Sequence, residues 1–521
     1  MIKNISRSLK DLLGSDYMDA VISVATKICG MEKEEAEFLA NEKVDFFSDD
    51  YIAKMDALAE KTGEKLLKGF ENSEKGAPTD SFGKAAHQNM APIGGFGCTR
   101  IGEDGKAYLI AKSEHYHASL GHNFPGYKLI NNARKLGILN ATHNNTRGYI
   151  TRLAERRIIA AANGAATDAE IDAILASKEP HVLNRIINLE TGSLAGEAGI
   201  KMMLSRFYKL DGSYGDPLYD GKIPVFLVME DNKEGLGANY HGTTIMAQTF
   251  RGMWPTFYEK CEKNELYKVV SVKKNDITDF EEKIKKYNSG SYKTAGFIHE
   301  IILMNYAGIR LTKEFLGKAH ELCKATDTLI MVDEIQSCMW YDGMFLFRKY
   351  GLKPDFVMIG KGFPGGEYSA SKLLTTAPAD NLNQFGALVT NGQEELASLS
   401  YLITMEFSSA NGKEIDEMGE KIEKGILELS KKYPELLPPP EGLGHLSAIH
   451  FNSVEKAAEF TKIMNGMCVD ISAQLYKPDC PPAVLLKPPV ITDDKVLSVL
   501  LEKINEGLLK LKPRGVEHHK P

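Results

Sequence analysis

At 521 residues the chain is about three times a typical ~150-residue domain, so one large domain with appended parts is expected. Its 63 Lys+Arg against 70 Asp+Glu give a net charge of −7, which excludes a global basic footprint for nucleic acid or acidic lipid. Small molecules and other copies of the chain are the expected partners. Cys29, Cys98, Cys261, Cys323, Cys338, Cys468 and Cys480 are scattered, odd in number and without a CxxC pair, which fits reduced thiols in a cytoplasm. No run approaches the ~20 apolar residues of a membrane span.

The first stretch, "MIKNISRSLKDLLGSDYMDAVISVATKICG", sets basic residues before an apolar patch in the manner of a targeting peptide. Asp11, Asp16, Asp19 and Lys27 interrupt that patch, so a surface helix is expected instead. Helical spacing continues through "YIAKMDALAEKTGEKLLKGF" and predicts an α-helical extension over 1–95, for which a dimer-forming or lid role stays open. Residues 96–150 then form the N-terminal part of a small domain, 151–407 a large domain, and 408–521 a smaller C-terminal α+β domain. Within the large domain, the apolar runs "VFLVME", "YKVVSV", "TAGFIHEI", "TLIMVDEI" and "DFVMIGK" alternate with amphipathic stretches such as "LTKEFLGKAHELCKAT". That alternation predicts an α/β fold with a mostly parallel sheet, whose function concentrates at the carboxyl ends of its strands.

Asp333 ends the strand "LIMVD". A lone acid there most simply caps the following helix. In "PDFVMIGKGFPGG", however, a second strand runs to Lys361, and a lysine after a buried strand is costly unless it is paired, exposed or chemically used. Thr191, Gly192 and Ser193 precede an amphipathic helix, whose N-terminus can hold a phosphate but equally well can be a plain cap. The loop lacks a Walker GK[ST] ending. In "ANYHGTT", Tyr240 can offer a ring face to a planar ligand and Gly242 lets the backbone turn beside it. Phosphate site, ring face, lysine and strand-end acid together describe pyridoxal 5′-phosphate.

From about Arg100 to Lys512 the chain resembles the class III (subgroup II) pyridoxal-phosphate-dependent aminotransferases of fold type I. The likeness runs in motif order through "SLGHNFPGY", "ETGSLAGEAGIKMM", "NYHGTT", "FIHEIILMNYAGI", "LIMVDEIQS", "PDFVMIGKGFPGG", "LVTNGQEELAS" and "LLKPPVITDDKV". It implies that Lys361 forms the Schiff base and later moves the proton, that Asp333 pairs with the pyridine nitrogen, and that Gln336 reaches the ring hydroxyl. Gly192 and Ser193 would bind the phosphate, Tyr240 would stack on the ring, and Glu300 would lie near the cofactor. Thr390 would contact the phosphate of a neighbouring subunit, which makes a homodimer part of the active site.

Departures from the family pattern concern substrate. Leu194 replaces a usual glutamate, Thr243 stands where an arginine is common, and Leu485 occupies the place of a carboxylate-docking arginine, with Lys487 the nearest cation. Asn305 and Tyr306 stand where some members keep a glutamate. The expected activity is ping-pong amino transfer from an amine or amino acid, with an ω-amino or diamino compound favoured, to a 2-oxo acid. Racemase, epimerase or aminomutase chemistry on the same scaffold is the alternative, and a non-catalytic cofactor-binding protein is a third. His115, His117 and His122 are read as site lining or structure, with no metal assigned. The closing "GVEHHKP" reads as a disordered tail.

Overall fold

The computed structural model describes residues 2–474 and 479–511, so "GVEHHKP" lies outside the described residues. The central sheet has seven strands: β1 (Leu183–Leu189), β2 (Ile223–Met229), β3 (Lys268–Val272), β4 (Tyr292–His299), β5 (Leu329–Asp333), β6 (Phe356–Ile359) and β7 (Ser371–Thr376). Their spatial order is β1-β7-β6-β5-β4-β2-β3. Strands β2 to β6 run parallel to their neighbours among themselves, and β7 is antiparallel to both β6 and β1. This is the mostly parallel α/β sheet that the alternating runs predict.

The five apolar runs of the sequence are β2 to β6. β2 is buried at every position, as a strand covered by helices on both faces must be. β1 ("LNRIINL") and β7 ("SKLLTT") escaped the sequence reading because their polar residues mask them. Lys372 of β7 sits opposite Asn188 of β1, and its ammonium donates to the Asn188 Oδ1 atom. That ammonium also lies 4.8 Å over the Tyr401 ring, so the lysine is buried without being orphaned.

Strand register builds the site. His299 pairs with Val332 and Asp333 with Met358, so Glu300, Asp333 and the turn carrying Lys361 emerge side by side at one carboxyl rim. Helix α1 (Gly192–Leu204) follows β1 and packs on the sheet. Helix α2 (Glu395–Lys432) is one continuous 38-residue helix through the expected 407/408 division. Beyond it, Glu441–Leu443, Leu446–His450, Ala483–Leu486 and Ser472–Ala473 form an antiparallel sheet in that order.

The N-terminal helices belong to the core. Leu9, Met18, Phe46 and Met55 are fully buried, and Phe124 meets both Phe46 and Phe407 edge-on, at 5.7 and 5.2 Å. The first sixty residues thus contribute to the shared hydrophobic core, with Phe47 meeting Phe407 of α2 at 6.1 Å.

A buried histidine pair supports Glu300 from behind. His299 Nδ1 lies 3.1 Å from the Glu300 carbonyl oxygen, and His299 Nε2 lies 2.9 Å from His320 Nε2. Both contacts are satisfied when Nδ1–H donates to the carbonyl and Nε2 accepts from the His320 N–H, so both rings are neutral. Burial pushes the His299 pKa down to about 3 and that of His320 well below its ordinary value. A depressed folded pKa means that the unfolded chain binds protons first, so stability is held above about pH 6.5 and lost as pH falls. The thermal midpoint is expected to fall between pH 6.5 and 5; a flat midpoint across that range would contradict the neutral pair.

Candidate active site

A cavity of about 450 Å³ opens at the carboxyl rim, walled by Lys361, Asp333, Glu300 and Gln336 and by the loops at Glu190–Ser193 and Tyr240–Gly242. Lys361 stands two residues beyond β6 in a left-handed conformation, φ 44°, which costs roughly 1–2 kcal/mol for a residue with a side chain. Such strain persists where the surroundings fix it, as they do at functional sites. Its amine is 5.2 Å from the Tyr116 ring centre. Burial lowers its pKa below the ordinary lysine value, while Glu300 and Asp333 oppose the shift.

Asp333 has both carboxylate oxygens committed. The Ile335 N–H donates to Oδ1 at 3.0 Å, and His241 Nδ1 lies 3.0 Å from Oδ2. The two side chains are 3% and 1% exposed, so this is a fixed, dry pair. His241 Nε2 is buried with no hydrogen-bond partner among the described residues. In "NYHG" the sequence points to Tyr240 and not to His241, whose only local signal is its place between a ring-bearing residue and the turning Gly242. Gln336 Nε2 donates to Glu300 Oε1 at 3.0 Å, and Gln336 Oε1 is buried with no hydrogen-bond partner among the described residues.

The phosphate-binding expectation has local support. Thr191, the N-cap of α1, is extended (φ −147°, ψ 150°) and makes no side-chain cap, so no threonine oxygen occupies the N–H groups of the first turn. Ser193 Oγ accepts from the Thr243 N–H at 3.0 Å and lies 3.1 Å from Thr243 Oγ1, which adds Thr243 to the cradle. Tyr240 is half-buried, with the Arg251 guanidinium 4.9 Å from its ring centre. Gly242 has φ 126°, and a Cβ there would sit 2.8 Å from Ser193 Cα. Gly242→Ala is expected to weaken pyridoxal phosphate binding about ten-fold or more, because overpacking costs about 1–3 kcal/mol. Titration of cofactor absorbance measures it, and wild-type affinity would show the approach to be unimportant.

Glu334 lies outside the cavity. It accepts from the Leu346 and Phe347 N–H groups at 3.1 and 2.5 Å and from Ser337 Oγ at 2.8 Å, and burial raises its pKa to about 7. It anchors the next turn. On the cavity's far wall, Ser113, Glu114, His115 and Tyr116 are consecutive left-handed residues with φ of 48°, 50°, 59° and 72°. Arg100 pairs with both Glu114 and Asp470, and His122 Nε2 lies 2.9 Å from Glu114 Oε1. His115 and His117 line the cavity, and burial, aided by Lys361, pushes His115 down to about 4.

An uncapped helix N-terminus, a buried strand-end carboxylate, an unpartnered amide oxygen and an adjacent lysine fit pyridoxal 5′-phosphate. The aminotransferase class-III family model matches residues 84–508. The chain belongs to the class III aminotransferases.

An acetylornithine aminotransferase from Clostridium acetobutylicum is 28% identical over 289 residues, 54% of this chain and 66% of that enzyme. A putrescine aminotransferase from Pectobacterium atrosepticum is 25% identical over 242 residues, 45% of this chain and 51% of that enzyme. The ornithine aminotransferase structure from Toxoplasma gondii superposes with a TM-score of 0.62 at 20% identity, covering 82% of this chain and 93% of that one. This class III aminotransferase is thus a pyridoxal-phosphate-dependent enzyme of fold type I.

Neither Leu485 nor Lys487, expected where a substrate carboxylate docks, lines the cavity. Leu485 is buried in the small-domain sheet, and Lys487 is fully buried, its amine donating to the Gln336 carbonyl. Thr390 is exposed and lies outside the cavity of its own chain.

Proposed function

We propose that this enzyme takes the amino group of an ω-amine or diamino compound and passes it to a 2-oxo acid. The wall composition carries this reading: Glu114, Glu190, Glu300 and Asp333 line the cavity, Lys361 is the lysine there, and no arginine is among the lining residues. Such a wall favours a second ammonium over a second carboxylate. The name of the Pectobacterium relative, a putrescine aminotransferase, agrees with a diamine donor.

Bound pyridoxal phosphate supplies an aldehyde for amines and an electron sink that works while its ring nitrogen is protonated. Asp333, fixed by His241 and Ile335 N–H, holds that proton on the ring nitrogen. Lys361 would supply the amine that anchors the aldehyde and would then carry the proton released from the donor carbon. Gln336, held by Glu300, would reach the ring hydroxyl. Tyr240 would offer its ring face to the cofactor, and Gly192 and Ser193 would hold the phosphate through main chain and hydroxyl. Thr390 of a second copy completes the phosphate site, so the working unit is a homodimer. The seven cysteines are all free thiols, which accords with a cytoplasmic setting.

An isomerase reading has one observation in its favour, a Clostridium beijerinckii glutamate-1-semialdehyde 2,1-aminomutase, 25% identical over 195 residues, 36% of this chain and 44% of that enzyme. The deciding experiment is a donor panel of diamines, ω-amino acids and α-amino acids against 2-oxoglutarate and pyruvate, read from the cofactor spectrum. A diamine or ω-amine that bleaches the band, restored by a 2-oxo acid, supports the proposal. Response to α-amino acids alone rejects the substrate class, and solvent-deuterium exchange without a keto product supports isomerisation.

A further inference from the structure

Away from Lys361, a cavity of about 420 Å³ opens where the C-terminal domain meets the large one, within the size range of small-molecule sites. It shares no lining residue with the Lys361 cavity. Trp340 and Tyr341, from the turn after β5, provide its aromatic wall. Gly419 of α2 brings the helix onto the small-domain hairpin: a Cβ there would lie 2.9 Å from Gly444 Cα. Glycine within a helix costs roughly 0.5–1 kcal/mol relative to alanine, and here it permits this backbone approach at the cavity wall.

The charges around this cavity are of both signs and only partly paired. Lys349 and Asp416 already bridge each other. Arg310 and Lys313, ahead of and within the first turn of the helix Lys313–Ala325, form no ion pair among the described residues, nor do Glu314 of that helix and Glu420 and Glu423 of α2, although Glu423 accepts from the Gly444 N–H. A polyanion would meet Glu314, Asp416, Glu420 and Glu423, and a purely apolar ligand would leave the charges of Arg310, Lys313 and Glu420 unused. We propose that this cavity is a second binding site, for a small zwitterion of the α-amino-acid type, with its carboxylate toward Arg310 and Lys313, its ammonium toward Glu420, and its side chain against Trp340 and Tyr341.

Trp340 is itself the reporter. The chain has two tryptophans, and Trp254 is 51% exposed on the surface, so Trp254→Phe leaves Trp340 as the single tryptophan, read with excitation that spares tyrosine. Holoprotein with that change is titrated with L-lysine, L-glutamate and L-phenylalanine at millimolar concentration. The proposal expects a saturable change in Trp340 emission with at least one of them, weakened ten-fold or more by Glu420→Lys or Arg310→Glu and retained in a Lys361→Ala background. Both rim changes are at exposed positions, and circular dichroism checks the fold. No saturable response to any of the three, a response indifferent to both rim variants, or a response lost with Lys361→Ala would each overturn it.

Discussion

Replacing Lys361 with alanine is expected to abolish turnover, by at least about 10⁴-fold, while the chain stays folded. Lys361 is asked both to anchor the cofactor aldehyde and to carry a proton, and a positioned proton carrier alone contributes up to about 10⁴-fold. The fold should tolerate the change because the lysine makes no ion pair among the described residues, while alanine keeps only the cost of the left-handed turn. A small added amine should return part of the proton transfer. Turnover above about one part in a hundred would mean that another amine does the work, and Lys487, which approaches the same Tyr116 ring at 5.1 Å, is the one to examine.

Asp333→Asn should lower kcat by roughly 10²–10³-fold, the usual cost of removing one preorganised electrostatic partner, with cofactor still bound through its phosphate. Asparagine keeps the shape and can still accept from the Ile335 N–H. It removes the charge that holds a proton on the ring nitrogen. The loss should appear in kcat more than in KM, because the electron sink is used after the donor has bound. An Asp333→Asn enzyme with wild-type kcat would remove the acid from the mechanism.

The site was more legible than the sheet that carries it. Asp333, Lys361, Glu300, Gln336, Gly192, Ser193 and Tyr240 all line one cavity: Glu300, Asp333, Gln336 and Lys361 sit at or just beyond strand ends announced by apolar runs, while Gly192, Ser193 and Tyr240 sit in glycine-bearing loops. β1 and β7 were hidden because Lys372 and Asn188 satisfy each other across the two strands, a pairing visible only once the strands are neighbours. His241 was passed over for a similar reason: its partner Asp333 is 92 residues away in sequence. The left-handed turn at Ser113–Tyr116 has no glycine to signal it. It is held by tertiary contacts, among them Ser113 Oγ donating to the Lys487 carbonyl oxygen. Thr390 points to a question of assembly, since one chain leaves it exposed and away from the cavity.

The most direct test of the account is covalent trapping. Holoprotein loaded with pyridoxal 5′-phosphate is reduced with borohydride, digested, and its phosphopyridoxyl-bearing peptide identified by mass spectrometry. The account predicts one modified residue, Lys361, and no modification in Lys361→Ala protein. Label on Lys487 or another lysine, or none at all in protein that has bound the cofactor, would contradict it.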